Sequence, residues 1–354
     1  METIFVDGST GEGGGQILRT SLTLACITGK NLHIENIRAA RRNPGLAKQH
    51  LSCVQAACKI CNGQCQEATS GSQVLDFQPG PIRGGDFSFD IGSAGSASLV
   101  IQTVLPALFL ADKPSTVAVT GGTHNPMAPP FDFLRETFLP AIAVAGFGGD
   151  CRLVKHGFFP AGGGKIAFDI RLWRKDADHR IDLCERPENM QIHARIYTAK
   201  LPAHIAERQR GLLLQSSLKI ENIEHVEVTD SDGPGNCVML RLCGGRTTVF
   251  TAFGKRGRPS EEVVNEVVNL AGDFLAGGAA IDRFLADQLL IYMAISNPRP
   301  GGEKPAPAQA GGRYTTNELS THLATNIETI KQFLPVDFKT ENQDRIYRIS
   351  CVPA

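Results

Sequence analysis

The sequence predicts a mixed α/β fold in which a β-α-β-α-β unit of about 80 residues recurs in tandem. Short β-branched runs alternate with longer stretches of helical period. The segment Phe5–Ser9 resembles Phe89–Ser93, and Asn43-Pro44 resembles Asn125-Pro126, in the same order and at nearly the same separation. Residues 183–278 carry a complete strand and helix pattern of their own, which is typical of an inserted domain.

The elements of the first unit follow from its hydrophobic pattern. Thr3–Val6 and Leu32–Ile37 are predicted strands, because β-branched and apolar side chains are concentrated there. Gln16–Thr28 is a predicted helix, since its apolar residues recur at helical spacing. Leu46–Cys61 is a second predicted helix, opened by Pro44-Gly45. The same order of elements then begins again in the second unit.

The third copy is expected to be interrupted. Its first strand is predicted at Lys165–Leu172, and its helices at Ala280–Ala294 and Thr321–Phe333. The other predicted elements are strands Gln191–Tyr197, His225–Thr229, Cys237–Leu242 and Thr247–Phe253, helices Ala203–Leu214 and Ser260–Leu275, closing strands Pro335–Lys339 and Arg345–Cys351, and the Pro-rich loop Asn297–Pro307. We therefore predict a large domain, residues 1–182 with 279–354, and an inserted small α/β domain, residues 183–278. The repeats are expected at about 1–82, 83–164, and 165–182 with 279–354.

Composition places the chain among packed globular proteins. Of the 354 residues, 42% are hydrophobic and 20% charged, which excludes a disordered or collagen-like chain. The 36 basic residues equal the 36 acidic ones, which argues against a protein that coats nucleic acid unspecifically. The first ten residues lack the pattern of a signal peptide, and the apolar run near Leu105–Ala111 is too short to cross a bilayer. We expect no membrane association and a cytoplasmic location, or a nucleoplasmic one in a eukaryote.

Four of the ten cysteines, Cys53, Cys58, Cys61 and Cys65, are clustered. A zinc site usually requires two tight cysteine pairs or partnering histidines, and only Cys58 and Cys61 have that spacing. Buried thiols are therefore favoured over a metal site.

A glycine-rich segment, Asp7–Gln16, links the first predicted strand to the first predicted helix. Free backbone N–H groups and the positive end of a helix suit a phosphate at such a loop. The segment lacks the lysine of a P-loop. Glu12 is a candidate ligand of a divalent cation that bridges phosphates, and Arg19 is a candidate phosphate partner. A tight packing turn with a surface glutamate explains these residues equally well.

The segment Arg38–His50 concentrates positive charge where a helix is predicted to begin. Arg38, Arg41, Arg42 and Lys48 lie within eleven residues of a chain that is otherwise neutral. Guanidinium groups suit a phosphorylated polymer end. A solvated charged face is the alternative interpretation.

Two further motifs carry weaker signals. The glycine triplet in His156–Ile166 suits a close approach of two backbones, or simply a turn before a strand. Phe284, Asp287 and Gln288 share one face of a predicted helix. An aromatic plane beside an acid and an amide suits a nucleoside, whereas an ordinary half-buried helix would show the same pattern.

The last motif surrounds His322. Ser320 or Thr321 is predicted to cap a helix, which places His322 in the first turn. The helix dipole there disfavours the imidazolium, so His322 is expected to be neutral and nucleophilic near pH 7. The same dipole favours a nearby phosphate. Packing or capping is the alternative role for one of nine histidines.

Taken together, these motifs resemble the RNA 3'-terminal phosphate cyclase family, and the likeness extends over essentially the whole chain. The most specific segments are DGSTGEGGGQILRT (7–20), IRAARRNPGLAKQH (37–50), HGFFPAGGG (156–164), FLADQ (284–288) and STHLATN (320–326). The resemblance implies three β-α-β-α-β-β repeats around a pseudo-threefold axis, with a smaller α/β domain inserted in the third repeat.

The resemblance also implies a reaction that uses ATP and a divalent metal, Mg²⁺ or Mn²⁺. An RNA 3'-phosphate becomes a 2',3'-cyclic phosphate, and AMP and pyrophosphate are released. His322 would attack the α-phosphorus of ATP and become adenylylated, AMP would pass to the RNA 3'-phosphate, and the vicinal 2'-hydroxyl would displace AMP. The implied partners are ATP and RNA with a 3'-phosphate end, and no obligatory protein partner is evident.

Site roles follow from the resemblance by position. Glu12 would hold the metal, and Arg38, Arg41 and Gln49 would neutralise phosphate oxygens of ATP or of the RNA end. The residues expected at ATP are Gln16 and Arg19 at the triphosphate, Gln102 and Pro129 along the adenine with Phe284 on its other face, and Leu285, Ala286, Asp287 and Gln288 from the FLADQ motif. The family often has Tyr where this chain has Phe284, so stacking is retained and a phenolic hydrogen bond is lost.

Two other functions compete with this interpretation. A related nucleolar protein shares the fold and acts in ribosome assembly without cyclase activity, but it would lack the late histidine and the phosphate arginines, which are present here. Enolpyruvyl transferases share the repeat architecture, but they need no nucleotidylated histidine and are not expected to have an interrupted third repeat.

Overall fold

The first sheet and its helices come from residues 3–78. The computed structural model describes residues 2–174, 180–297 and 311–354. The elements are β1 (Thr3–Asp7), α1 (Gly15–Thr28), β2 (Asn31–Glu35), α2 (Lys48–Cys61), β3 (Gln64–Gln66) and β4 (Leu75–Gln78). β1 pairs in parallel with β2, and both β2 and β3 pair antiparallel with β4. β2 ends earlier than predicted because Asn36 turns the chain with φ +53°. α2 begins two residues later than predicted, since Leu46 donates its N–H to the Ser72 carbonyl instead.

The second sheet repeats this arrangement. Its elements are β5 (Asp86–Asp90), α3 (Ala97–Leu108), β6 (Ser115–Gly121), α4 (Phe131–Phe133), a π-helical turn (Leu134–Phe138), α5 (Leu139–Ala143), β7 (Gly149–Lys155) and β8 (Gly164–Ile170). β5 pairs in parallel with β6, and β6 and β7 pair antiparallel with β8. The strand predicted at Lys165–Leu172 is therefore the last strand of this sheet, and its placement at the start of a third copy was wrong. A strand's hydrophobic pattern does not specify which sheet it joins.

The sheet of the predicted small domain, named the small sheet, follows the short strand β9 (Asp182–Leu183) and has four strands, as the other sheets do. Its elements are β10 (Gln191–Ala199), α6 (Ala203–Leu214), β11 (Ile220–Val228), β12 (Gly235–Cys243), β13 (Thr247–Phe253) and α7 (Ser260–Gly277). The strand order is β11-β10-β12-β13, with β10 and β11 parallel and the other pairs antiparallel. β11 begins five residues before the predicted strand His225–Thr229. Its exposed polar side chains, such as Glu221 and Asn222, concealed its first half from a hydrophobic pattern.

Strands from the last part of the chain pair with β9 to form another four-stranded sheet. Its remaining elements are α8 (Arg283–Ser296), β14 (Arg313–Thr316), α9 (Thr321–Phe333), β15 (Val336–Gln343) and β16 (Ile346–Pro353). β9 pairs in parallel with β14, and β14 and β15 pair antiparallel with β16. The predicted loop Asn297–Pro307 lies outside the described residues apart from Asn297. Within the described residues, the first sheet, the second sheet and the sheet of β9, β14, β15 and β16 share one strand order, in which the first strand pairs with the second, the second with the fourth and the fourth with the third. The small sheet is also four-stranded but has a different order. The predicted mixed α/β class is confirmed.

Two hydrophobic cores result. The first sheet, the second sheet and the sheet of β9, β14, β15 and β16 share the main core with their helices. The small sheet forms the second core with α6 and α7. Alternate residues of the small sheet face opposite ways, so that Ile196 and Val238 enter its own core while Tyr197 and Met239 join the main one.

Helix α1 lies at the centre of the helical packing, in contact with α2, α3 and α9. Its residues from Thr20 to Cys26 are all buried, so this helix is hydrophobic on nearly every side. The packing fixes the glycine-rich loop that precedes α1 beside the start of α9.

Two predictions about the surface and the cysteines can be compared with the structure. Within the described ranges, no helix has both the length and the apolar character required to cross a bilayer. Cys53 and Cys61 are buried and Cys58 and Cys65 are half-buried, all as free thiols. In those same ranges, no group of three or more His, Cys, Asp or Glu side chains is arranged to hold a metal ion.

A buried polar network joins the small sheet to the second sheet. His124 Nε2 lies 2.9 Å from Asp132 Oδ2, and the Tyr197 hydroxyl donates to Asp132 Oδ1 at 3.1 Å. Arg195 and Arg135 also lie within ion-pair distance of this carboxylate. Burial by itself would raise the pKa of Asp132, but His124, Arg135 and Tyr197 together lower that pKa to about 2.

We expect Asp132→Asn to lower the free energy of unfolding by about 3 kcal/mol or more, because it leaves buried partners of a charge unpaired. The folded pKa of about 2 lies below the ordinary value of 3.8, so the ionised group stabilises the fold above pH 3.8. That stabilisation is lost as the pH falls towards 2. Urea titrations should therefore show a gap between wild type and variant that narrows from pH 4 to pH 2.

Asp150→Asn is the matched control, because its ion pair with Arg171 is exposed. It should change the free energy of unfolding by less than about 1 kcal/mol. An equal effect of the two substitutions would contradict a stabilising role for the buried network.

Candidate active site

The glycine-rich loop rests on the first turns of α9. The Glu12 N–H donates a 2.9 Å hydrogen bond to Thr325 Oγ1, which links residues 313 positions apart. Gly11 has φ +55°, and a Cβ on it would lie 2.1 Å from the same oxygen. Glycine is therefore required at this position by both backbone conformation and space.

His322 occupies the first turn of α9, as predicted. Ser320 caps the helix, accepting the Leu323 N–H at 3.0 Å. His322 Nδ1 lies 2.9 Å from Gln16 Oε1, and its Nε2 lies 3.9 Å from Glu12 Oε1. The side chain is 50% exposed, so the imidazole is held by its neighbours yet open to a ligand.

The surroundings of His322 favour the neutral imidazole. Burial lowers its pKa below the ordinary 6.5, and the charges of Arg19, Arg41 and Arg283 lower it further. A neutral ring retains a lone pair on one nitrogen, which nucleophilic attack requires.

Glu12 is almost enclosed. Its side chain is 7% exposed and forms an ion pair with Arg41. Oε2 of the carboxylate is buried and has no hydrogen-bond partner among the described residues. A buried carboxylate oxygen without a partner is costly, and a hard cation would satisfy it. The donor present therefore fits a magnesium or manganese ion.

Arg19 projects from the second turn of α1 and is partly buried. Within the described ranges, its guanidinium forms no hydrogen bond or ion pair. Burial lowers the pKa of Arg19, which the nearby Cys53 and Asp287 partly oppose. A guanidinium without a protein partner beside a helix start suits an anionic ligand.

Asp287 is held by two neighbours from other helices. Gln16 Nε2 donates to its Oδ2 at 3.2 Å, and Asn326 Nδ2 donates to its backbone carbonyl at 2.7 Å. Thr20 in turn donates to Asn326 Oδ1 at 2.7 Å. Burial raises the pKa of Asp287 to about 7, although the charge of Arg19 opposes this shift.

The exposed face of α8 presents an aromatic ring and an amide pair. Asp282 caps the helix, accepting N–H groups from its first turn. Phe284 is 41% exposed, with the Arg283 guanidinium 4.9 Å from its ring centre. Gln288 accepts a hydrogen bond from Gln102 of α3, so these two predicted residues lie together.

Leu285 and Ala286 lie on the opposite side of α8 and are buried in the core. The Ala286 carbonyl accepts the Tyr314 hydroxyl at 2.7 Å. These two residues anchor the helix that carries the exposed face.

The charge of Arg38 affects the neighbouring His50. Arg38 has φ +57° and donates to the Gly45 carbonyl at 2.7 Å. Burial, followed by the charges of Arg19 and Arg38, lowers the pKa of His50 to about 3, so this ring is neutral. His50 accepts the Ala47 N–H, which supports the start of α2.

Gln49 and Pro129 are located beside the start of α3. Gln49 Oε1 accepts the Ser96 N–H at 2.6 Å, and the Pro129 carbonyl accepts the Ser98 hydroxyl. Among the described residues, no hydrogen bond connects Gln49 or Pro129 directly to His322.

The glycines of the His156–Ile166 segment serve close packing. A Cβ on Gly157 would lie 2.4 Å from the Gly164 nitrogen, and one on Gly163 would lie 1.9 Å from Asp232 Oδ2. The segment joins the second sheet to the small sheet, and its packing role is sufficient to explain the triplet.

Sequence reasoning missed Thr325 and Asn326, which join α9 to the loop and to α8. Their spacing of three and four from His322 places them on its helix face, so helical periodicity was an available signal. Sequence reasoning also assigned no role to His50. Its neutral state depends on burial, which a sequence does not display.

Comparison with known proteins identifies the family of this chain. The family model described as RNA 3'-terminal phosphate cyclase matches residues 10–340. The chain belongs to the RNA 3'-terminal phosphate cyclase family. A protein of that name from Pseudomonas fluorescens is 40% identical over 354 residues, covering 99% of this chain and 98% of the relative. One from Koribacter versatilis is 42% identical over 356 residues, covering 99% and 95%. The resemblance and the enzyme class predicted from the sequence are thereby confirmed.

Gly14 offers a test of the cyclase site. A Cβ on it would lie 2.3 Å from Glu12 Oε2 and 2.5 Å from the Arg41 guanidinium. We expect Gly14→Ala to displace this pair and to lower cyclase activity by at least about tenfold, because small displacements of site groups are costly. Cyclisation of a 3'-phosphorylated oligonucleotide measures the effect.

Gly272→Ala in α7 is the matched control, since a Cβ there meets nothing within 4 Å. It should leave activity unchanged. Full activity of Gly14→Ala would show that the Glu12–Arg41 geometry is not required.

Proposed function

We propose that this cyclase converts an RNA 3'-phosphate into a 2',3'-cyclic phosphate through a covalent His322–AMP enzyme, using ATP. The observation that carries the proposal is the position of His322. Its ring lies in the first turn of a capped helix, neutral and half exposed, beside the enclosed Glu12 carboxylate. Arg19 is near it and has no hydrogen-bond partner among the described residues.

The polyphosphate of ATP fits the loop before α1. The N-cap position of α1 is Gly14, and no side chain caps the first N–H groups of this helix. Helices α2, α6 and α7 likewise have no side-chain cap, whereas Ser96, Asp282 and Ser320 cap α3, α8 and α9. Uncapped N–H groups together with Arg19 form a site for phosphate oxygens.

The adenosine of ATP fits the exposed face of α8. Phe284 supplies a stacking surface, and the paired amides of Gln102 and Gln288 supply hydrogen-bonding groups for a base edge. Pro129 would line the other side of the base, and Asp287 would contact the nucleotide from the same helix.

Glu12 would hold the divalent ion, because its buried Oε2 needs a positive partner. Such an ion neutralises phosphate oxygens and makes pyrophosphate a better leaving group. The ion pair with Arg41 holds the Glu12 carboxylate in place beside His322.

Three displacements at phosphorus complete the reaction. His322 Nε2 bonds to the α-phosphorus of ATP as the bond to the β-phosphate oxygen breaks, and pyrophosphate leaves. An oxygen of the RNA 3'-phosphate then bonds to the same phosphorus as the N–P bond breaks, which restores His322. Finally the 2'-hydroxyl loses its proton and attacks the 3'-phosphorus, and AMP leaves. Arg38, Arg41 and Gln49 would neutralise the RNA phosphate during the last two displacements.

The architecture supports an inserted domain in a threefold repeat. The first sheet, the second sheet and the sheet of β9, β14, β15 and β16 have one strand order. The small sheet, with another order and its own core, lies in the chain between β9 and α8. We infer that the third repeat begins near β9, that residues 191–277 are the insertion, and that the repeats surround a pseudo-threefold axis. A cytoplasmic site of action stays a prediction.

Autoadenylylation tests the mechanism. The purified protein, incubated with α-³²P-ATP and Mg²⁺ without RNA, should carry label on a denaturing gel. The label should be lost in acid and kept in alkali, as for a phosphoramidate. His322→Ala should abolish it.

His204→Ala is the matched control, because His204 is also exposed at the second position of a helix, α6. It should label like the wild type. No label on folded wild-type protein would sink the covalent mechanism and favour a noncatalytic RNA-binding role for the fold.

Phe284→Ala should raise the KM for ATP about tenfold with little change in kcat, because a stacked base is worth roughly 1–3 kcal/mol. Phe284→Tyr keeps the ring and should keep KM near the wild-type value. Steady-state rates of RNA 3'-phosphate cyclisation over a range of ATP concentrations measure both constants. An unchanged KM in Phe284→Ala would remove this residue from the adenine site.

A further inference from the structure

A chain of hydrogen bonds leads from Asp287 through Gln16 to His322. Gln16 Nε2 donates to Asp287 Oδ2 at 3.2 Å, and Gln16 Oε1 lies 2.9 Å from His322 Nδ1. The two polar groups of the Gln16 amide thus contact residues of two different helices, α8 and α9.

The amide imposes a direction on this chain. A side-chain amide has a donor end and an acceptor end, and a carboxylate is only an acceptor. The structure places the NH₂ group of Gln16 against the Asp287 carboxylate, which leaves its carbonyl oxygen for the imidazole. An acceptor at Nδ1 requires a proton there, so the lone pair of the neutral ring lies on Nε2.

We propose that Gln16, oriented by Asp287, fixes His322 in the tautomer protonated at Nδ1 and so directs the Nε2 lone pair towards the reacting phosphorus. This inference rests on the proposed function and deepens it. Gln16 and Asp287 act as positioning residues through His322, in addition to any contact with ATP.

The surroundings keep this arrangement rigid. Asn326 holds the backbone of Asp287 at 2.7 Å, and Thr20 holds Asn326 at 2.7 Å. Burial raises the pKa of Asp287 to about 7, although the charge of Arg19 opposes this shift, so the carboxylate is mainly ionised at pH 8. Reversing the Gln16 amide would require a protonated Asp287 and would select the tautomer protonated at Nε2, which has no lone pair for attack.

The tautomer is measurable without any reaction. Protein labelled with ¹⁵N-histidine, at pH 8 and without ATP, gives long-range proton–nitrogen spectra in which protonated and unprotonated ring nitrogens differ strongly. The His322 signals are assigned by their absence in His322→Ala. We expect Nδ1 to be the protonated nitrogen in the wild type.

Variants of Gln16 separate positioning from packing. Gln16→Met should shift His322 towards the tautomer protonated at Nε2, which free imidazole side chains prefer. Gln16→Glu retains an acceptor for Nδ1 and should restore the wild-type tautomer. Gln102→Met is the matched control, since it removes the amide partner of Gln288 and should leave the His322 spectrum unchanged.

Kinetics give a second readout. At saturating ATP, Gln16→Met should lower the single-turnover rate of adenylylation by about 10- to 100-fold, since attack depends on a correctly protonated base. Its KM for ATP should change much less. A Gln16 that only binds the triphosphate would instead raise KM and leave the tautomer unchanged.

The two proposals fail in different ways. If wild-type protein is labelled at His322 but this ring is protonated at Nε2, or if Gln16→Met leaves the spectrum unchanged, the positioning inference is overturned and the covalent mechanism stands. If no label forms while the spectrum is as expected, the covalent mechanism is overturned. Thermal melts check that each variant is folded.

Discussion

The active site depends on the contact between the loop before α1 and the first turns of α9. One backbone N–H, that of Glu12, meets one side-chain hydroxyl, that of Thr325, and glycine at position 11 leaves room for it. The contact brings a carboxylate from one end of the chain against a histidine from the other. The hydrogen bonds of Gln16 with His322 and of Thr20 with Asn326 hold the same two segments together.

Burial then determines the charge state of each group. Arg19, Arg41 and Arg283 keep His322 neutral, while enclosure raises the pKa of Asp287 to about 7. The same enclosure leaves Glu12 Oε2 without a partner among the described residues. The free protein thus carries an unfavourable arrangement of polar groups, which a bound nucleotide with its cation would relieve. The free protein is therefore less stable than its packing alone would make it, and ligand binding would recover part of that stability.

Most elements follow from local sequence patterns. Elements such as α1 and α9 have strong periodicity or caps, so local patterns determine them. Specific motifs around Glu12 and His322 predicted site residues that the structure brings together, while the roles of these residues stay predictions. The partner sheet of β8 was not predictable, because pairing depends on tertiary geometry. The roles of Thr325 and His50 depend on contacts between distant segments, which no local pattern contains.

The separation of Gln16 and His322 along the chain has a consequence for synthesis. The 306 positions between these hydrogen-bonded residues correspond to roughly 15–60 s of translation at 5–20 residues per second. During that time the first sheet is already outside the ribosome, while the loop before α1 waits for α9. A nascent chain therefore presents Glu12 and Arg19 to solvent before His322 is synthesised, and these three residues come together only when α9 docks.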